Sequence, residues 1–173
     1  MDKSDHCREV YARYGHAMYR AQCVEQSITQ LIVFFDFFPN NLSKISSKAD
    51  WEKGIDEFDG ELSSKTMGQL VKSLTGLGAV DTSIENKLRV ALSERNMLAH
   101  RFFVDHALNF VSEKGRDLMI FALHECCALF DEIEDILNPI TYSLCEKYGL
   151  TQELLKKIET EMFEGANGDL PPP

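Results

Sequence analysis

The chain has 173 residues, 44% of them hydrophobic and 27% charged, and its 28 acidic against 18 basic side chains leave a formal net charge of −10. This composition excludes a disordered or fibrous chain and suits one domain that buries its own core. The acidic surplus excludes a broad nucleic-acid-binding surface, which needs clustered Lys and Arg, yet leaves room for a small local one.

Apolar side chains at Val10, Tyr14, Ala17, Ala21, Val24, Ile28, Leu31, Phe35 and Phe38 recur at steps of four and three. The spacing predicts one helix over residues 5–37, about 50 Å long, with a heptad seam suited to a bundle or a dimer. Pro39 and the two Asn residues after it are expected to end it. Residues 31–38 are the most apolar stretch, but they are too short to span a bilayer and Asp36 interrupts them. No apolar leader follows Met1, so a cytoplasmic protein without a membrane segment is expected.

Residues 40–48 read as a Ser- and Lys-rich connector. Short helices are expected over 50–58, broken by Asp59 and Gly60, and over 65–74, ended by Gly76 and Gly78. Thr82 and Glu85 have capping-box spacing and open the next helix, whose stripe is Ile84, Leu88, Ala91, Leu92, Leu98 and Ala99. A linker over 105–114 follows. Met119, Ala122, Cys126, Leu129, Ile133 and Ile136 predict another long helix, kinked or split at Pro139. Gly149 stops it, and Thr151 caps a last helix over 152–163. The expected fold is an all-α bundle of four principal helices plus short ones. It forms a single domain over residues 1–163 with a flexible Pro-rich tail over 164–173.

Smaller features take structural readings. Five cysteines, an odd number without Cys-x-x-Cys spacing, read as reduced thiols acting as small apolar side chains. His124 and Glu125 begin like a zinc-protease motif, but Ala128 stands where the second His belongs, so neither metal nor other cofactor is expected. The Phe cluster at 34, 35, 37 and 38 reads as core or dimer seam. The acidic run over 131–135 reads as a solvated helix face.

One segment departs from this pattern: residues 94–103, with Arg95, Asn96 and His100. Arg95 falls in phase with the apolar stripe, where a guanidinium needs a partner to offset its burial. Asn96 and His100 are four apart, on one helix face, so the amide is placed to orient the imidazole. Arg95 and His100 lie about 140° apart around a straight helix, so they converge only if the helix ends early or two copies face each other. Lys87, Arg89 and Arg101 add local positive charge. Arg supplies a planar, permanently charged fork for phosphate, and His a general acid or base near neutral pH; together they suit attack of a ribose 2′-hydroxyl on its own phosphate. Chance supplies roughly 0.2 Arg-x4-His spacings in such a chain, and only roughly 0.01 once Asn must follow the Arg.

Arg95, Asn96 and His100 on a helical chain resemble the Arg-x4–6-His signature of the HEPN superfamily, in which a polar residue, often Asn, follows the Arg. The resemblance implies a helical bundle that dimerises to bring two motifs into one cleft. It also implies a metal-independent ribonuclease of toxin–antitoxin, abortive-infection or phage-defence type. Arg95 and His100 would be the catalytic pair, Asn96 their polar support, and Arg101, Arg89 and Lys87 the RNA-binding residues. Partners would be RNA, a second copy and an antitoxin protein. In toxins paired with nucleotidyltransferase antitoxins, a Tyr two residues after the His is modified; here Phe102 stands there, without a hydroxyl. The acidic surface and long seams also fit a non-catalytic dimerisation adaptor, or an antitoxin or immunity protein that masks a basic partner.

Overall fold

The computed structural model describes residues 3–168, and among these every regular element is helical. In chain order they are α1 (Lys3–Ile32), a π-helical turn (Val33–Phe37), α2 (Phe38–Asn41), α3 (Lys48–Ser63), α4 (Met67–Gly76), α5 (Thr82–His100), α6 (Phe102–Asp105), α7 (Ala107–Val111), α8 (Glu113–Lys147) and α9 (Gln152–Gly168).

The fold is laid out around α1. Its expected seam is observed as far as Leu31, with Val10, Ala17, Ala21, Val24, Ile28 and Leu31 buried and Tyr14 half-buried; past it the π turn shifts the phase, so that Phe34, Phe37 and Phe38 are buried and Phe35 only half-buried. Helix α8 lies beside α1 and runs parallel to it. His6 sits 3.1 Å from Asp117, off hydrogen-bond alignment, Cys127 faces His16 at 3.6 Å, Arg20 pairs with Asp131, and the Ser27 hydroxyl donates to Glu134 at 2.6 Å. Partners rise together along both chains, so the intervening helices must carry the chain back to the starting end. Helices α4 and α5 pack against α1 as well, and Leu62, Met67, Leu70, Val71, Leu74, Leu88 and Leu98 join the same core. A second cluster at the far end gathers Phe34, Phe37, Phe38 and Cys145, with Trp51 and Tyr148 against them.

Several expected boundaries move. The first helix does not end at Pro39. The chain widens into the π turn and resumes as α2 with Pro39 in its first turn, where a missing N–H costs least. Helix α3 runs through Asp59 and Gly60 to Ser63, and Ser47 caps its start. Helix α4 opens on a capping box between Thr66 and Gln69. The N-cap of α5 is Asp81, not Thr82; its carboxylate accepts from the Ile84 N–H at 2.9 Å. The expected linker over 105–114 holds α6 and α7. Helix α8 is not split at Pro139. Its buried seam is Met119, Leu123, Cys126, Phe130, Ile133 and Leu137, with Ala122, Leu129 and Ile136 flanking it. The acidic run is solvated as expected, with Asp131, Glu132 and Asp135 exposed, but it also makes contacts: Asp131 and Glu134 bond to α1 and Glu132 pairs with Lys87 of α5. Helix α9 passes Phe163 and reaches Gly168, so the expected tail begins as helix; residues 169–173 lie outside the described residues. No described helix is long and apolar enough to cross a membrane.

The turn after α5 is pinned from beneath. Arg116 is buried and donates to the Phe110 carbonyl at 3.0 Å. Gly115 lies so close under the Asn109 backbone that any Cβ would overlap it. Gly15, in contrast, sits exposed on α1 with open space around it. Gly115→Ala should lower the melting temperature by about 3–10 °C, since rigid backbone must shift. Gly15→Ala should raise it by about 1–4 °C, through lower entropy of the unfolded chain. Thermal unfolding followed by circular dichroism reads both signs.

Candidate functional site

Helix α5 carries Arg95, Asn96 and His100 in its last two turns. Three interactions define that end. Leu98 is buried on the core side, with Leu88 and Ala91 below it. The Tyr14 hydroxyl donates to the Leu98 carbonyl at 3.2 Å, satisfying one of the last-turn acceptors that a helix C-terminus leaves open. Arg101 then leaves helical geometry (φ −129°), and Phe102 turns inward, 1% exposed, against Tyr14. The position that carries a modifiable Tyr in the toxins named above is thus core packing here.

Arg95 is half-buried, as its phase in the stripe requires, and its partner comes from α1. Its Nε donates to Glu25 Oε1 at 3.0 Å, with the two side chains 28% and 22% exposed. Its Nη1 donates to Asn96 Oδ1 at 3.4 Å. A guanidinium has five N–H donors, so this two-sided hold fixes its plane and leaves the Nη2 edge without a hydrogen bond among the described residues. Asn96 therefore serves Arg95 and is not placed on His100. His100 is exposed at the helix end, and among the described residues it has no hydrogen bond or ion pair. Among the described residues Arg95 and His100 share no hydrogen-bond partner.

The other expected basic residues all meet carboxylates. Arg89 Nη2 donates to Glu85 at 2.6 Å, Arg101 Nη2 donates to Asp105 at 2.7 Å, and Lys87 pairs with Glu132. The hydrogen bond from Arg101 holds the Asp105 carboxyl below its ordinary range. Exposed pairs of this kind are held weakly against solvent screening, so Arg89 and Arg101 can swing to another anion cheaply. Arg95, held on two sides and half-buried, cannot.

Glu25 and Tyr14 were not singled out from the sequence. A carboxylate beside the seam residues Val24 and Ile28, and a Tyr within the seam, were the available signals. Glu25 also lines a groove of about 610 Å³, with Gln22, Gln26, Gln30, Glu134 and Asn138 among its other walls. At the end of α5 the surface turns apolar: Val104, Leu108 and Val111 are 72%, 89% and 71% exposed, beside Phe103 and Tyr11.

Three of the five thiols are buried: Cys126, Cys127 and Cys145. Burial, reinforced by the nearby Glu94 carboxylate, pushes the Cys126 thiol up to about 12. Burial also raises Cys127 and Cys145. A thiolate is the reactive form. At pH 8 a thiol reagent should therefore label Cys7 and Cys23 in the native protein and reach the other three only after denaturation, as peptide mass spectrometry will show.

No protein-family model, curated protein or solved structure matches this chain.

Proposed function

We propose that the chain is a metal-independent endoribonuclease of the HEPN type, acting in a toxin–antitoxin or phage-defence setting, with an active site completed by a second copy. One observation carries this reading. Arg95 is clamped by Glu25 and Asn96 with a donor edge left over, while His100 stands exposed at the end of the same helix beside an uncovered apolar turn. A preorganised cation and an accessible imidazole are the two parts that phosphodiester transesterification needs. A second chain packed on Val104, Leu108 and Val111 supplies the convergence that α5 alone denies.

In this reading Arg95 binds a nonbridging oxygen of the scissile phosphate and stabilises charge as the pentavalent phosphorus forms. The imidazole of His100 takes the proton of the 2′-hydroxyl, and the 2′-oxygen bonds to phosphorus. The bond to the 5′-oxygen breaks, that oxygen takes a proton from water, and the His100 imidazolium returns its proton to solvent. The products are a 2′,3′-cyclic phosphate and a free 5′-hydroxyl, which conserves atoms and electrons without a metal. Glu25 and Asn96 act through Arg95 as positioning residues.

A specific observation favours the second reading, a non-catalytic dimerisation adaptor: every basic side chain expected to hold RNA is already paired with a carboxylate. One assay separates the two. Wild-type chain incubated with structured RNA in EDTA should cleave it, and Arg95→Ala and His100→Ala should each lose about 10²-fold or more. Mixing the two inactive variants should restore part of the activity, because one of the two shared sites then holds both an intact Arg95 and an intact His100. Intact RNA with the wild type would establish the adaptor. Unrecovered activity in the mixture would place both residues in one chain.

A further inference from the structure

Helix α9 is anchored at its start and bare beyond it. Leu155 is half-buried against the aromatic cluster of Phe34, Phe38 and Tyr148. From Lys156 to Glu164 every side chain is exposed, including Ile158, Met162 and Phe163. Leu155, Ile158 and Met162 follow a three–four spacing, so they form one apolar stripe along the helix. A solitary helix of this length is marginal in water, and its stability comes from covering such a stripe. The stripe leads into an apolar groove of about 480 Å³ lined by Val33, Phe34, Thr141, Tyr142 and Cys145, with Leu155 at its edge.

Charge identifies the cover. The first half of α9 carries Lys156 and Lys157 against Glu153 alone; the second half carries Glu159, Glu161 and Glu164 and no base. An anionic lipid or nucleic acid would meet net negative charge along this helix. A parallel copy would set glutamates on glutamates. An antiparallel copy sets the lysines of each helix against the glutamates of the other. It also carries Met162 and Phe163 of the second copy toward Leu155 and the groove beside it, so one arrangement covers both apolar features.

We propose that α9 is a self-association surface, paired antiparallel with α9 of a second copy of this chain. It lies at the C-terminal end of α8, away from the α6–α7 turn at the other end, so this contact is separate from the one that would complete the Arg95 and His100 site.

The test uses the full chain and light scattering coupled to size exclusion over a range of concentrations. Leu108→Glu removes the contact at the α6–α7 end, and this variant should still be a dimer through α9. Adding Ile158→Asp should make it a monomer with an unchanged melting transition, since Ile158 is outside the core. In the Leu108→Glu background, Lys156→Glu with Lys157→Glu should weaken the dimer roughly tenfold or more. Adding Glu161→Lys and Glu164→Lys should restore it. A Leu108→Glu chain that is monomeric at every concentration would overturn the proposal and assign the α9 face to a different protein. A dimer indifferent to Ile158→Asp would overturn it too. Neither outcome touches the ribonuclease reading, which the cleavage assay decides.

Discussion

The parallel packing of α1 on α8 is the constraint from which the rest follows. Two helices of 30 and 35 residues share one seam, and their polar contacts repeat at nearly constant offset: His6 with Asp117, His16 with Cys127, Arg20 with Asp131, Ser27 with Glu134. Parallel neighbours cannot be joined by a tight turn. The chain must leave the far end of α1 and come back, and α3, α4 and α5 do this, with α4 and α5 packing on α1. Small side chains at Ala17 and Ala21, both essentially inaccessible, let neighbouring helices approach closely at the middle of the seam.

That return path gives α5 its geometry, and α5 carries Arg95, Asn96 and His100. Because α5 packs on α1, Arg95 in its apolar phase meets α1, and Glu25 receives it. A half-buried guanidinium without that carboxylate would cost several kcal/mol, so the pair is first a requirement of packing. What it adds is orientation. Two acceptors in different directions fix the plane of a group that would otherwise rotate, and orientation is what separates a cation that merely attracts phosphate from one that stabilises a developing charge. Tyr14 does the complementary task by capping the last turn, so that His100 is presented at a defined helix end.

The sequence was legible wherever a single periodicity controlled burial. The seam of α1 up to Leu31, the in-phase Arg95 and the buried Cys126 are all statements about which face points inward, and period alone decides that. It was less legible where local signals competed with packing. Pro39 and Pro139 are strong stop signals in isolation, yet Pro39 sits in a first turn after a widened one, and α8 is held along its length by α1. Asp59 and Gly60 are poor helix residues that the rest of α3 carries through. The α8 stripe was read about one residue out of phase because Ala122, Leu129 and Ile136 are apolar flanks, facing α5 or the surface, and their periodicity is as clean as that of the seam. Asn96 was read toward His100 by spacing alone, but the adjacent guanidinium outcompetes an imidazole for a carbonyl oxygen, since it offers a charged donor.

The net charge of −10 also takes a different meaning once the carboxylates have addresses. Glu25 orients Arg95, Glu134 binds Ser27, and Asp131 and Glu132 tie α8 to α1 and α5. Glu25 and Glu134 are half-buried fasteners, while Asp131 and Glu132 bridge helices from the surface. A count of charges weighs them equally with the glutamates of α9, which face solvent and set the long-range field. Repulsion of a polyanion therefore acts mainly on encounter, where distant charges add. At the site proposed for the end of α5, discrimination would rest on a few donors at short range, where only the groups within about a Debye length matter. A strongly acidic protein and a local phosphate-handling site are compatible on these terms, provided the site is small, preorganised and built from a cation that its neighbours hold in place without consuming all of its donors.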